Sequence, residues 1–146
     1  EKPARQQDGE KTSPISFCPE IPGSVTIRGQ KWKFTLYPEE KIEIIPQKTY
    51  TKWFDYDKIK KCPTIRTRQT GDYLTIADGR GEMIRKSLKS YFVDQKIPRE
   101  ERDRLPILAE EDHVLWVMGY RISEYYKVTE NTKRILKVQL IRKEFA

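Results

Sequence analysis

Apolar and polar residues alternate along much of this chain, the pattern of half-buried β-strands. After a turn at Pro22-Gly23, Val25 and Ile27 alternate with polar neighbours. Trp32, Phe34 and Leu36 then alternate with Lys31, Lys33 and Thr35, the clearest run of this kind. Ile42, Ile44 and Ile45 predict a short strand stopped by Pro46, and residues 51–54 predict another. Residues 55–61 read as one helical turn or a loop. Strands follow at 64–68 and around Leu74 and Ile76, separated by a turn at Gly71-Asp72. Residues 105–108, 114–118, 125–128 and 135–141 complete the set, with Glu110-Glu111-Asp112 and Asn131-Thr132 in turns.

One segment has a different period. Ile84, Leu88, Tyr91 and Phe92 stand at i, i+4, i+7 and i+8, which predicts a helix over 83–93 with one apolar face. Arg85, Lys86 and Lys89 would flank that face. Pro98 is placed to open a second short helix ending near Arg102 or Asp103. The fold class is therefore α+β: short, mostly antiparallel strands in a sandwich- or barrel-like core, with one main basic amphipathic helix. Residues 1–17 read as a linker or disordered arm, 18–63 as a strand-rich upstream portion, and 64–146 as a C-terminal domain. No internal repeat is evident.

Composition narrows the partners. Of 146 residues, 36% are hydrophobic and 35% charged, which describes a polar surface over a modest core. No apolar run approaches the roughly 18 residues a membrane helix needs. Glu1 to Ser16 is polar and shows no secretion signal, and Cys18 and Cys62 read as free thiols of a cytoplasmic protein, with a single disulfide as the alternative. The chain starts at Glu1 and is read as a piece of a longer protein. The net charge is +7, and all of it lies between Lys58 and Arg99, where eleven basic residues face four acidic ones. Charge concentrated in this way favours a polyanion.

Chemistry is sparse. His113 stands alone as a histidine, no metal-ligand spacing is present, and no Walker-type or Ser-Gly-Gly-x-Asp-Ser loop could hold ATP. No catalytic residue and no metal site are assigned. The candidate RNA-binding residues are Arg66, Arg68, Arg80, Arg85, Lys86, Lys89, Lys96 and Arg99. On a strand, Arg66 and Arg68 point to one face and would make a forked phosphate clamp. Internal pairing with Asp72 or Asp94 competes, so one arginine of the two is expected to be structural. Gly79-Arg80-Gly81 would lead into a helix N-terminus, which attracts anions. Trp32, Trp53, Phe54, Trp116, Tyr125 and Tyr126 could stack on splayed bases, though core packing suits Trp32 and Trp116 better. Without an RNA-recognition aromatic motif, backbone and shape contacts to a duplex are favoured.

The segment Ile65-Arg66-Thr67-Arg68-Gln69-Thr70-Gly71-Asp72 resembles the R-x-R-x-x-G-D signature of the C-terminal region of bacterial tRNA(Ile)-lysidine synthetases. The likeness continues through Lys86-Ser87-Leu88-Lys89, Phe92-Val93-Asp94-Gln95-Lys96-Ile97-Pro98 and Arg102-Asp103-Arg104-Leu105-Pro106-Ile107-Leu108. It reaches Val114-Leu115-Trp116-Val117 and Gly119, and is looser upstream at Ile21-Pro22-Gly23. Thr70 and Tyr73 depart from the proline and the basic residue that family members often carry, implying a less stiff turn and one phosphate contact fewer. The resemblance implies a non-catalytic, tRNA-gripping region acting on tRNA(Ile), including its acceptor stem. ATP and Mg would belong to an N-terminal catalytic domain, itself a partner, that adenylates the wobble cytidine before lysine attacks. A structural or dimerising domain, with a second copy as partner, and a free-standing RNA-binding module are the alternatives.

Overall fold

The computed structural model describes residues 15–38 and 48–141. The strand expected at Ile42, Ile44 and Ile45, and most of the expected N-terminal linker, lie outside the described residues.

The clearest alternation becomes the longest strand. In β3 (Gln30–Pro38), Trp32 and Phe34 are buried while Lys31 and Lys33 are exposed. The final strand, β10 (Arg134–Ile141), pairs with it antiparallel so that Leu136, Val138 and Leu140 face Leu36, Phe34 and Trp32. A period of two on both strands puts these pairs on one face. With β2 (Gly23–Ile27) and β4 (Thr51–Asp55) the sheet has four strands in the order β2-β3-β10-β4.

A second sheet has six strands in the order β1-β5-β8-β9-β6-β7. Its members are β1 (Ser16–Phe17), β5 (Thr64–Arg66), β6 (Tyr73–Ala77), β7 (Met83–Ser87), β8 (Ile107–Glu110) and β9 (His113–Val117). Pairing is antiparallel except at Tyr73↔His113, where β6 and β9 meet in parallel. One core cluster lies between the sheets and joins Trp32, Phe54 and Val138 to Ile65, Leu115 and Trp116. Trp32 and Trp116 meet edge to face with centroids 5.7 Å apart, the geometry favoured by the ring quadrupoles. A second cluster packs α1 (Leu88–Asp94) on the six-stranded sheet through Leu88, Tyr91 and Phe92 against Leu74, Ile107 and Val114. A shorter helix, α2 (Arg99–Arg102), follows Pro98. The α+β class and the sandwich of short strands expected from the sequence are present.

Four expectations need correction. First, the helix does not begin at Met83. Residues Met83 to Ser87 pair with Tyr73 to Ala77 as a hairpin, and Ser87 caps α1 by accepting from the Ser90 N–H at 3.0 Å. Ile84 and Leu88 are four apart, a spacing that suits one face of a strand as well as a helix. Ile84 is in fact exposed. Second, the aromatic pair at 125–126 is not in a strand. Glu124–Tyr126 is a 3-10 turn, stabilised by Glu124 pairing with Arg121 and Lys127 three residues to either side. Third, Ser16 and Phe17 belong to β1, because their partners Arg66 and Ile65 give them an edge to pair with. Fourth, Cys18 and Cys62 are not free thiols: the β1–β5 pairing brings their Cα atoms to 6.2 Å and they form a disulfide. The four-stranded sheet draws on residues from both sides of 63, since β10 sits between β3 and β4.

Candidate nucleic-acid interface

The strand at 83–87 separates two of the eight candidate cations, Arg85 and Lys86. Successive residues of β7 face opposite sides. Lys86 therefore lies toward α1 and pairs with Asp94 at 2.5 Å. Arg85 stands opposite Thr75 on the other face. The two do not share a helix flank with Lys89, as the sequence suggested.

Arg66 is not a surface group. Its guanidinium forms a bidentate pair with Asp72, at 3.0 and 2.8 Å, and both side chains are at most 5% exposed. It also donates to the carbonyls of Thr67 and Glu111. The Asp72 carboxylate accepts the Gln69 N–H at 2.7 Å, closing the turn in which Gly71 has φ +95°. Of the Arg66–Arg68 pair, the first is thus the structural member.

Arg68 donates through Nε to Asp103 at 2.9 Å and lies over the Phe92 ring, with its side chain partly exposed. It lines a groove of about 860 Å³ with Gln69, Thr70, Arg85 and Lys89. Arg85 and Lys89 are exposed and enter no ion pair among the described residues. The groove's carboxylates are Asp72, bound to Arg66, and Asp103, bound to Arg68. Its unbalanced charge is therefore that of Arg85 and Lys89.

Arg80, Lys96 and Arg99 are exposed but lie outside this groove. Arg80 belongs to the β6–β7 hairpin turn. There the Asp78 carboxylate accepts from the N–H groups of Arg80 and Glu82 at 2.8 and 2.9 Å. The backbone donors expected to attract an anion are satisfied by the chain's own aspartate, and no helix starts there.

A second hollow, of about 580 Å³, shares the Tyr73–Arg85 wall. The Arg85 guanidinium lies 4.2 Å from the Tyr73 centroid, a cation–π contact. Tyr73 stacks on His113 at 4.5 Å, His113 lies 5.2 Å from Tyr125, and the Lys58 ammonium is 5.2 Å from the Tyr125 centroid. His113 Nε2 is 2.8 Å from the Thr75 hydroxyl and 3.1 Å from that of Ser123. Burial pushes the His113 pKa down to about 4, with Arg85 adding to the effect and Glu110 opposing it. The imidazole is therefore neutral near pH 7 and serves as a ring and as the hydrogen-bond partner of both hydroxyls. Glu110 accepts from the Tyr126 hydroxyl at 2.6 Å and from the N–H groups of Lys60 and Lys61. Burial and that hydrogen bond push the Tyr126 phenol above its usual pKa.

Sequence reasoning passed over Tyr73 as a mere departure and His113 as an isolated turn residue. The available signal was the parity of the strands, which puts Tyr73, Thr75 and Arg85 on one face. The parallel pairing that adds His113 has no local signature. Among the described residues, no group of three or more His, Cys, Asp or Glu could hold a metal, and no helix is long and apolar enough to cross a membrane.

Residues 64–140 match the model of the TilS substrate C-terminal domain. The tRNA(Ile)-lysidine synthase of Caldanaerobacter subterraneus is 41% identical over 120 residues, covering 82% of this chain and 25% of that protein. That of Clostridium tetani is 36% identical over 121 residues, covering 83% of this chain and 25% of that protein. The chain thus spans about a quarter of the length of these relatives. A solved structure described as a crystal structure of the TILS C-terminal domain is similar with a TM-score of 0.73. At 24% identity it covers 91% of this chain and all of that one, a likeness of fold.

Proposed function

Because the chain belongs to the TilS substrate C-terminal domain family, we propose that it is the RNA-gripping part of a tRNA(Ile)-lysidine synthase and holds tRNA by its phosphates. The groove of about 860 Å³ carries this reading. Its carboxylates are neutralised by Arg66 and Arg68, which leaves Arg85 and Lys89 as uncompensated cations beside the Arg68 guanidinium. A phosphate entering the groove replaces solvent counterions at these groups, the dominant sequence-independent term in nucleic-acid binding. The substrate is tRNA(Ile), gripped along its acceptor stem, and the protein works in the cytoplasm. This chain performs no chemistry in the scheme. ATP, Mg and the modification of the wobble cytidine belong to a catalytic domain that lies outside it.

The test is titration of tRNA(Ile) with the wild-type chain and with Arg85→Glu/Lys89→Glu, read by anisotropy between 50 and 200 mM salt. Removing two phosphate contacts should flatten the log–log salt slope by about 2 and weaken binding at every salt concentration. Unchanged affinity and slope in a folded double variant would refute the grip. A second reading, an interface with another copy or domain, is favoured by β7. It is an edge strand that exposes Met83 and Ile84, and unpaired edges invite pairing. Sedimentation equilibrium with Ile84→Lys discriminates the two: loss of a dimer with tRNA binding intact supports the interface.

A further inference from the structure

The aromatic residues that could stack on bases are sorted by burial. Trp32, Trp53, Phe54, Trp116 and Tyr126 are between 0 and 8% exposed, whereas Tyr125 is 42% exposed. The half-exposed Tyr125 ring lines the 580 Å³ hollow and is held by its neighbours. Tyr126 meets it edge to face at 4.9 Å, and Tyr126 is itself anchored by its hydroxyl on Glu110. His113 supports it from the side at 5.2 Å. A ring fixed in this way loses little freedom when something stacks on it.

We propose that this hollow takes one unpaired nucleotide of the bound RNA, its base against Tyr125 and its phosphate held by Lys58 and Lys60. Lys58 lies over the ring and enters no ion pair among the described residues, so a base landing there brings its phosphate within reach of the ammonium. Among the described residues, Lys60 Nζ is engaged only with the neutral Asp57 carbonyl. Three carboxylates line the same hollow: Glu110, engaged by Tyr126 and the Lys60 and Lys61 N–H groups, Glu111, paired with Lys61, and Asp112. Carboxylates repel a bare anion but accept from the amino group of a base edge. A nucleotide satisfies both halves of the lining; an isolated phosphate does not. A duplex end buries its base faces in the stack, so the occupant is single-stranded.

The inference rests on the RNA-gripping reading, and the experiment separates the two. Two RNA hairpins share one stem. One is blunt; the other carries a four-nucleotide single-stranded 3′ tail containing 2-aminopurine. The wild-type chain should bind both, prefer the tailed RNA on the order of 5- to 100-fold, and quench the 2-aminopurine. Tyr125→Ala should abolish the preference and the quench and leave the blunt hairpin bound as before, while Tyr125→Phe keeps all three. Equal binding of both hairpins by the wild type overturns the stacking site alone, as does an undiminished preference in Tyr125→Ala. Failure to bind either hairpin overturns the grip, and the stacking site with it. Competition by millimolar AMP that removes the quench, without displacing the stem, overturns the RNA tail as occupant in favour of a free nucleotide.

Discussion

Asp72→Ala is the perturbation that most sharply separates structural from RNA-facing arginines. It removes both acceptors of the bidentate pair with Arg66 and leaves a guanidinium whose side chain is 5% exposed. The carbonyls of Thr67 and Glu111 remain as partners but cannot neutralise the charge. Breaking a buried pair from one side costs about 3–5 kcal/mol. At roughly 3–4 °C per kcal/mol for a chain of this size, the melting midpoint should fall by about 10–20 °C. Replacing both members, as Arg66→Met/Asp72→Leu, removes the stranded charge. That variant should be more stable than Asp72→Ala alone, a coupling that simple addition would miss. Urea unfolding followed by tryptophan fluorescence gives the stabilities. Anisotropy with tRNA(Ile), at a temperature where the double variant is fully folded, gives the function. The double variant should bind tRNA like the wild type, because Arg66 lies beneath the surface and not on it. An Asp72→Ala midpoint within a few degrees of the wild type's would refute the energetic argument. Lost tRNA affinity in the folded double variant would refute the structural assignment of Arg66.

Two further outcomes follow from single residues. His113 is held neutral by burial, with its pKa lowered from about 6.5 to about 4. The unfolded chain therefore takes up a proton first as pH falls, and stability should decline between about pH 6.5 and pH 4. His113→Phe should flatten that part of a pH–stability profile, and an unchanged slope would contradict the assignment. The Cys18–Cys62 bond closes a 44-residue separation, so by chain entropy its reduction should cost up to about 4 kcal/mol. Urea midpoints with and without reductant measure this, with intact-mass analysis to show the bond; equal midpoints for oxidised and reduced protein would count against it.

Much of the architecture was legible because it is local. The alternation at Trp32, Phe34 and Leu36 marked a strand, and the apolar runs at 105–108 and 114–118 marked the largely buried β8 and β9. Of the helix expected over 83–93, residues 83–87 were misread because Ile84 and Leu88 satisfy both periods. What decides is the hairpin partner, Tyr73 to Ala77, together with the Ser87 cap. That single choice sends Arg85 and Lys86 to opposite sides and dissolves the expected basic helix flank.

By itself the sequence determined the α+β class, most strands, the concentration of positive charge in residues 58–99 and the motif series that led to the family. These depend on the period and order of residues along the chain. Only the tertiary structure decided which cations are available. Whether a guanidinium meets solvent or a carboxylate depends on what else arrives there. Asp72 closing on Arg66, Asp103 on Arg68 and Asp94 on Lys86 are arrangements in space. The stack of Arg85, Tyr73, His113, Tyr125 and Lys58 is of the same kind. Its members span residues 58–125 and meet because β9 pairs beside β6. Strand order is set by the burial of whole faces, a collective quantity that no short stretch of residues encodes.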